Sequence, residues 1–427
     1  MKQALGFALF LLLPAAATAS GFLLFQHGGR TTSQAGAFAA RASDPSAVRY
    51  NPAAIVRLDG FQFQAGLDFQ APTDEFATAS RADSPEHVIQ FPPSLYASWK
   101  PKALALPLAF GLSIDSPFWS IQNWNTALFP GRFDTLRQEL TLFELRPTVA
   151  WAIDERWSLG GSLRYVQGAL ETSFAVEEIF SSHPHIIEEA EVESAAAAKV
   201  DGIGIDLALH FAAETWGAGV VASSGVRLDG DGEIEHFTVQ PLFDQGAQLD
   251  FDLNFGVADA AMDFELPPTL TAGFWWSPTA AIAVEVDVAW SGWSALDRTT
   301  IEIDPDPFTD DPPALDRRRD WDDTLALRLG GEWSFASGWA AGAGLAWEPS
   351  PVPDATAEPG FPRGDAYVVA LGGSYNMKGL SFDFGYSYYF YQNRSATLTG
   401  VDGVNSPVAG TFSARSQVFS ISARWRR

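Results

Sequence analysis

The stretch Phe61-Gln-Phe-Gln-Ala-Gly-Leu-Asp-Phe69 alternates without a break, with Phe61, Phe63, Ala65, Leu67 and Phe69 on one face and Gln62, Gln64, Gly66 and Asp68 on the other. A period of two belongs to an extended strand, not to a helix, whose apolar positions recur every three or four residues. The same period returns at Ile203, Ile205, Leu207, Leu209 and Phe211 against Asp206 and His210, and at Ile282, Val284, Val286, Val288 and Trp290 against Glu285 and Asp287. Farther on, Leu325, Leu327, Leu329 and Trp333 oppose Arg328 and Glu332, while Phe382, Phe384, Tyr386, Tyr388 and Phe390 oppose Ser381, Asp383 and Ser387. A soluble β-sandwich or solenoid alternates as well, so the period alone leaves those folds open.

The connections separate them. Short links recur near Pro101 to Ala105, Asp154 to Arg156, Glu214 to Thr215, Ser277 to Thr279, Ala336 to Gly338 and Lys378 to Leu380. Between them lie long ones, near Gln70 to Gln90, Asp115 to Thr141, Thr172 to Ala198, Ser224 to Glu265, Ser291 to Asp323, Glu348 to Asp365 and Gln392 to Thr411. Alternating short turns and long loops are the asymmetry of an outer-membrane barrel, and the strands they delimit number about fourteen. Trp151, Trp157, Trp216, Trp275, Trp276, Trp333, Trp339 and Tyr375 flank the short links, where a headgroup layer favours amphipathic rings. No stretch after the N-terminus holds the roughly 18 apolar residues a membrane helix needs, which leaves a closed barrel as the lipid-spanning alternative. The fold predicted is all-β: a transmembrane antiparallel β-barrel of about fourteen strands with an N-terminal hatch, or plug, inside the lumen.

Lys2, the apolar run Ala4 to Leu13, Pro14 and the small residues ending Ala17-Thr18-Ala19 follow the order of a secretory signal peptide. The division expected is therefore residues 1–19 signal peptide, 20–58 hatch and 59–427 barrel, in the bacterial outer membrane. The chain has no cysteine, which excludes a lipoprotein anchor and disulfides. A net charge of −25 excludes a nucleic-acid partner, which needs a basic footprint.

Much of the acid lies in the long connections: Glu177, Glu178, Glu188, Glu189, Glu191 and Glu193; Asp229, Asp231, Glu233 and Glu235; Glu302, Asp304, Asp306, Asp310 and Asp311. Solvated loops account for this, and divalent cations shared with lipopolysaccharide are the sharper alternative. Asp229-Gly-Asp-Gly-Glu233 starts like a calcium loop but lacks the rest of that spacing, and is expected to be a turn. His183 and His185 flank Pro184 in an acidic loop, a setting for exposed histidines or a metal. Scattered histidines and no recognisable Ser, His and Asp grouping argue against an enzyme, and no cofactor is expected.

The run Gln34-Ala-Gly-Ala-Phe-Ala-Ala-Arg-Ala-Ser-Asp44, followed by Asn51-Pro52-Ala53, resembles the hatch of the long-chain fatty-acid transporter family, the FadL/TodX type. Gly131-Arg-Phe133, Arg146-Pro-Thr-Val-Ala-Trp151, Ser158-Leu-Gly-Gly161, Leu266-Pro-Pro268, Trp321-Asp-Asp-Thr324 and Pro351-Val-Pro-Asp354 continue the likeness in the family's order. One departure is the end, Phe419-Ser-Ile-Ser-Ala-Arg-Trp425-Arg-Arg427, where two arginines trail the usual aromatic. The resemblance implies passive uptake of hydrophobic compounds, long-chain fatty acids first and aromatic hydrocarbons or other lipids as alternatives. It further implies a greasy groove in the loops, a lumen pocket, and a sideways exit at an inward kink of the third strand beside Asn51, Pro52 and Ala53.

The local chemistry suits this. Phe118, Trp119, Ile121, Trp124, Leu128, Phe129 and Phe133 are more apolar than a solvated loop requires, and are read either as a capture surface or as packing over the barrel mouth. Pro107 and Gly111 lie in the third strand, where a proline removes a ladder bond and a glycine permits a bend. By alternation Arg164 and Arg328 face the lumen, where they pair with Asp206, Glu285 or Asp383, or hold a cargo carboxylate. The partners expected are a long-chain fatty acid or other hydrophobic small molecule, together with outer-membrane lipid and lipopolysaccharide, around a monomer. A water-filled porin and an outer-membrane lipase or protease are the competing functions.

Overall fold

The computed structural model describes residues 21–102, 107–124, 128–183, 186–238, 255–303, 314–400 and 407–427, so the expected signal peptide lies outside the described residues. The wall opens with β1 (Gly60–Ala77), whose tip pairs the two-residue β2 (Ala82–Asp83), and continues through β3 (Pro93–Lys100), β4 (Leu108–Asn123) and β5 (Arg137–Ala152). The tallest pair follows, β6 (Trp157–His183) and β7 (Ile186–Ala212), and then β8 (Trp216–Ser223). Two loop strands, β9 (Val226–Thr238) and β10 (Phe255–Leu266), precede β11 (Thr269–Thr279) and β12 (Ile282–Ser291). Two more, β13 (Arg298–Ile303) and β14 (Ala314–Arg318), precede β15 (Thr324–Ala336), β16 (Trp339–Glu348), β17 (Ala366–Met377) and β18 (Leu380–Tyr391). A last loop strand, β19 (Arg394–Leu398), leads into β20 (Val408–Arg426).

Removing the six loop strands leaves fourteen that pair antiparallel with their neighbours, and β20 closes on β1 from Gln62↔Arg426 to Ala77↔Thr411. Closure satisfies every edge, which an open sheet in lipid cannot do. The faces follow the sequence period. Phe61 and Phe63 are each 39% exposed, turned outward, whereas Gln64 and Asp68 on the alternate face are buried in the lumen.

Two readings of the loops are corrected. Residues 172–198 are not a loosely connected loop: the β6–β7 ladder runs on from Thr172↔Ala196 to His183↔Ile186. Asp229-Gly-Asp-Gly-Glu233 is not a turn but the body of β9, paired to β7 on one side and β10 on the other. Its glycines explain this: a Cβ at Gly232 would collide with the Ala197 carbonyl, so only glycine lets β9 lie this close to β7. The side chains at 177–192, the stretch Asp304 to Asp311, and Pro184 and His185 lie outside what is described.

Candidate functional site

Residues Gly21–Leu58 fill the lumen, and α1 (Gly29–Thr32) and α2 (Ala47–Tyr50) are its short helices. The Asn51-Pro52-Ala53 motif has a definite geometry. Asn51 Oδ1 accepts from Ala53 N at 3.1 Å, capping the 3-10 turn Pro52–Arg57, while its Nδ2 donates to Ala39 O at 2.7 Å. Pro52 occupies a position where a missing N–H costs nothing. Ala53 lies against Gly160 of β6, where any Cβ would strike the Ala53 backbone, and Ser158 Oγ donates to Ala53 O at 2.9 Å.

Polar bonds tie this hatch to the wall all the way round. Asp287 Oδ2 accepts the N–H groups of Phe38 (2.8 Å) and Ala39 (3.0 Å), and Glu285 Oε1 accepts those of Ala40 (2.6 Å) and Arg41 (3.1 Å). His210 Nε2 donates to Ala40 O at 2.8 Å. Arg30 grips Glu332 of β15 through two bonds of 2.8 and 3.0 Å, and Arg49 reaches Asp115 of β4 at 2.9 Å. Buried backbone groups and charges require such partners.

The wall is incomplete on one side. β3 has only 8 residues beside the 16 of β4, and their ladder stops at Ser94↔Asp115. There β4 carries a bulge: between the pairs Asp115↔Glu144 and Phe118↔Leu142, Ser116 and Pro117 stand against one residue of β5. Asp115, Ser116 and Phe118 are buried, so the strand turns inward, and the hatch pairs with it through Leu24 N to Pro117 O (2.8 Å) and a bridge Leu23↔Phe118. Above the bulge the space between β1 and β4 is spanned by the loop segment 84–92, through Gln70 and Gln90 (2.9 Å), Glu86 N to Asn123 O (2.7 Å) and Gln90 Nε2 to Ile121 O (3.2 Å).

Two chambers flank this point. The upper one, of about 650 Å³ including its open mouth, is lined by Leu140, Leu170, Phe174, Met262, Phe264, Leu296 and Ile301, with Arg317 and Arg319 at one side. Arg317 meets Glu358 at 2.8 Å, and Arg319 bonds the same carboxylate, so two guanidinium groups share one acid. Burial holds Arg319 below the ordinary arginine value even with Glu358 raising it. Phe22 of the hatch enters the chamber inside a cage of Trp293 (5.0 Å between centroids), Phe361 (5.6 Å), Phe118 (5.8 Å) and Trp321 (5.8 Å). The indole N–H groups of Trp293 and Trp321 have no acceptor among the described residues. Behind the bulge lies a second chamber, lined by Pro117, Phe118, Arg49, Arg146, Arg164 and Arg328.

The residues singled out from sequence fall in different places. Phe118 lines the second chamber and joins the Phe22 cage, and Trp119 stands edge-on to Phe143 at 5.8 Å. Trp124 and Phe129 form no exposed surface: they are fully buried and stacked on each other at 4.5 Å, against Phe76 and Phe412. Phe133 is half-buried under the Arg132 guanidinium at 4.4 Å. Pro107 precedes the first residue of β4, and Gly111 sits where a Cβ would come within 2.6 Å of Val48 Cγ2 of the hatch, so the irregularity of β4 lies at Ser116 and Pro117 instead.

Arg164 does face the lumen, bonded to Glu144 at 3.1 and 3.2 Å and to Ser224 O at 3.0 Å. Arg328 meets Glu348 at 3.4 Å and lies 3.7 Å above the Phe25 ring, with its Nη2 lacking a hydrogen-bond partner among the described residues. Sequence reasoning missed Arg317, Arg319, Glu358, Trp293 and Phe361. No signal marks them, because they come from different connections, after β12, in and after β14, and after β16, and meet only when these fold over the barrel mouth.

The model of the family described as "Outer membrane protein transport protein (OMPP1/FadL/TodX)" matches residues 10–426. A FadL homologue of Pseudomonas aeruginosa superposes with a TM-score of 0.81 at 17% identity, covering 95% of this chain and 100% of that one. The CymD monoaromatic hydrocarbon channel gives a TM-score of 0.70 at 17% identity, over 95% and 99% of the two chains. The Pseudomonas putida toluene transporter TodX gives 0.68 at 14% identity, again over 95% and 99%. At such identities the likeness carries the fold alone. No curated protein sequence matches.

Proposed function

From the premise that the chain belongs to the OMPP1/FadL/TodX family of outer-membrane transport proteins, we propose that its cargo is a long-chain fatty acid, held in the upper chamber with its carboxylate beside Arg317 and Arg319. The family is one of channels for hydrophobic compounds in the bacterial outer membrane, not of enzymes. The observation that carries the finer reading is the charge arrangement at one side of a mainly apolar chamber: two arginines share the carboxylate of Glu358. A second carboxylate entering there finds cationic donors already desolvated, in surroundings where charge-assisted bonds are strong. The chain of such a molecule would lie against Leu140, Leu170 and Phe264.

From that chamber the cargo passes Phe22 and Phe118 into the second chamber and leaves sideways, beside the bulge at Ser116 and Pro117, into the lipid. The gap between β1 and β4 supports this route, since the loop segment 84–92, not a wall strand, spans it. The ring cage around Phe22 favours a second cargo, a flat aromatic hydrocarbon, for which the arginines would be idle.

Uptake of oleate and of toluene by cells carrying the double variant Arg317→Met, Arg319→Met separates the two. Oleate uptake is expected to fall about tenfold, the effect of losing about 1.4 kcal/mol, with toluene changed less than twofold. Equal losses for both cargoes, or no loss for oleate, would overturn the carboxylate reading.

A further inference from the structure

The two arginines that trail Trp425 end next to other cations. Arg426 N donates to Gly379 O at 2.8 Å, which places the chain end beside Lys378 in the β17–β18 turn. On the other flank, Arg427 and Phe61 exchange bonds of 2.9 and 3.3 Å at the start of β1, and Gly60 pairs with Lys100 at the end of β3, two residues before Lys102. The short-turn rim of four neighbouring wall strands thus carries Lys378, Arg426, Arg427, Lys100 and Lys102. Lys378, Lys102, Arg426 and Arg427 are exposed. The acids among them are Asp59, bonded to Lys100 at 3.1 Å, and the terminal carboxylate.

This arc stands out from the rest of the molecule. The whole chain has a net charge of −25, and the same rim farther round, at the β5–β6 and β7–β8 turns, holds Asp154, Glu155 and Glu214 against Arg156 and Arg57. Position along the barrel axis is set by the rings just inside the arc: Trp99, Phe61, Trp425 and Phe382 are outward and exposed, with Phe61 and Trp425 in contact at 6.0 Å. Such a ring belt marks the headgroup boundary, so the cations beyond it stand among headgroups. The short-turn side faces the periplasm, where the neighbouring lipid is phospholipid.

We propose that this arc is a binding surface for anionic phospholipid headgroups of the periplasmic leaflet, recruiting them to the seam of the barrel and to the foot of the side where the wall is incomplete. Guanidinium and ammonium groups at a membrane surface attract anionic lipid, and the attraction is screened by salt. An uncharged or zwitterionic headgroup offers no comparable partner.

The test is lipid retention by the purified full chain in detergent, read by native mass spectrometry, with phosphatidylglycerol and phosphatidylcholine of equal chain length. Wild type is expected to retain phosphatidylglycerol at least fivefold over phosphatidylcholine at low ionic strength. The preference should fall to near even in the variant Lys378→Gln, Lys102→Gln, Arg426→Gln, Arg427→Gln, and persist in the loop-side control Arg137→Gln, Arg227→Gln, Arg298→Gln, Arg318→Gln. Equal retention by wild type, a preference that survives in the rim variant, or one lost equally in the control would each overturn the proposal. If the rim variant fails to fold, salt decides on wild type: the preference should vanish by 0.5 M salt, where charge screening acts within about 4 Å, and its survival there would refute the idea.

Discussion

Asp287, midway along wall strand β12, takes the backbone N–H of Phe38 at 2.8 Å with the same oxygen that takes that of Ala39 at 3.0 Å. Glu285, two residues away and so on the same lumen face, does the same for Ala40 and Arg41. Four successive hatch amides are thereby held by two adjacent wall carboxylates. A loop crossing the lumen has no sheet of its own, and unpaired buried amides cost about 1–3 kcal/mol each.

Replacing both acids, Glu285→Ala with Asp287→Ala, leaves those amides without acceptors. Hydrogen exchange of residues 38–41 should speed up at least tenfold while wall strands such as β17 keep their protection. The single-channel conductance should rise as the hatch loosens. Unchanged exchange at 38–41 would show that packing alone holds this segment.

Gly160 is expected to be intolerant for a steric reason. Gly160→Val drives a side chain into the Ala53 backbone and should undock the Asn51-Pro52-Ala53 turn, costing about 1–3 kcal/mol as overpacking does. Barrel closure depends on other residues, so the heat-modifiable band on a gel should persist while protease cuts within residues 50–58. A hatch as resistant as wild type would mean that β6 yields instead.

The bulge in β4 makes a prediction by deletion. Removing Ser116 leaves one residue between Asp115 and Phe118, which restores the register with β5 and straightens the strand. Uptake of hydrophobic cargo should drop about tenfold or more, with binding of the same cargo to detergent-purified protein unchanged; tenfold corresponds to about 1.4 kcal/mol. Full uptake by the deletion would rule out a sideways exit at this point.

Asp134, in the loop after Trp124, accepts the N–H of Gly400 at 3.2 Å and is raised by burial to about 6, against the pull of Arg317. A carboxyl whose folded value lies above its unfolded one binds its proton more tightly when folded. Its contribution is therefore fully present below the unfolded value and declines as pH rises toward 6. Limited proteolysis of residues 128–136 should be faster at pH 8 than at pH 4.5 in wild type, and Asp134→Asn should flatten the difference. An equal pH response in the variant would assign the effect elsewhere.

The wall was largely legible in the sequence because each strand reports its own orientation. Gln64, Arg164, Asp206, Glu285 and Arg328 all fall on the lumen side where alternation put them. The heights of β6 and β7 were not legible, because acidic residues read as solvent-exposed loop whether or not their backbone is paired. Nor was β9, where Asp229-Gly-Asp-Gly-Glu233 has a turn's composition and only the neighbour on each side makes a strand of it. The bulge escaped for a related reason: Pro107 and Gly111 carry the expected breaker residues, yet the extra residue of β4 is visible only against the register of β5.

What the residues settled without help from the fold is the closed cylinder and its stopper, since a two-residue period with alternating short and long links has few other solutions in lipid. What the tertiary structure alone decided is the site. Phe22 comes from the hatch, while Trp293, Arg317, Arg319 and Phe361 come from the separate connections that follow β12, β13 and β16. Local pattern is blind to such meetings, because they are fixed by closure of the ring and by how far each loop leans over its mouth.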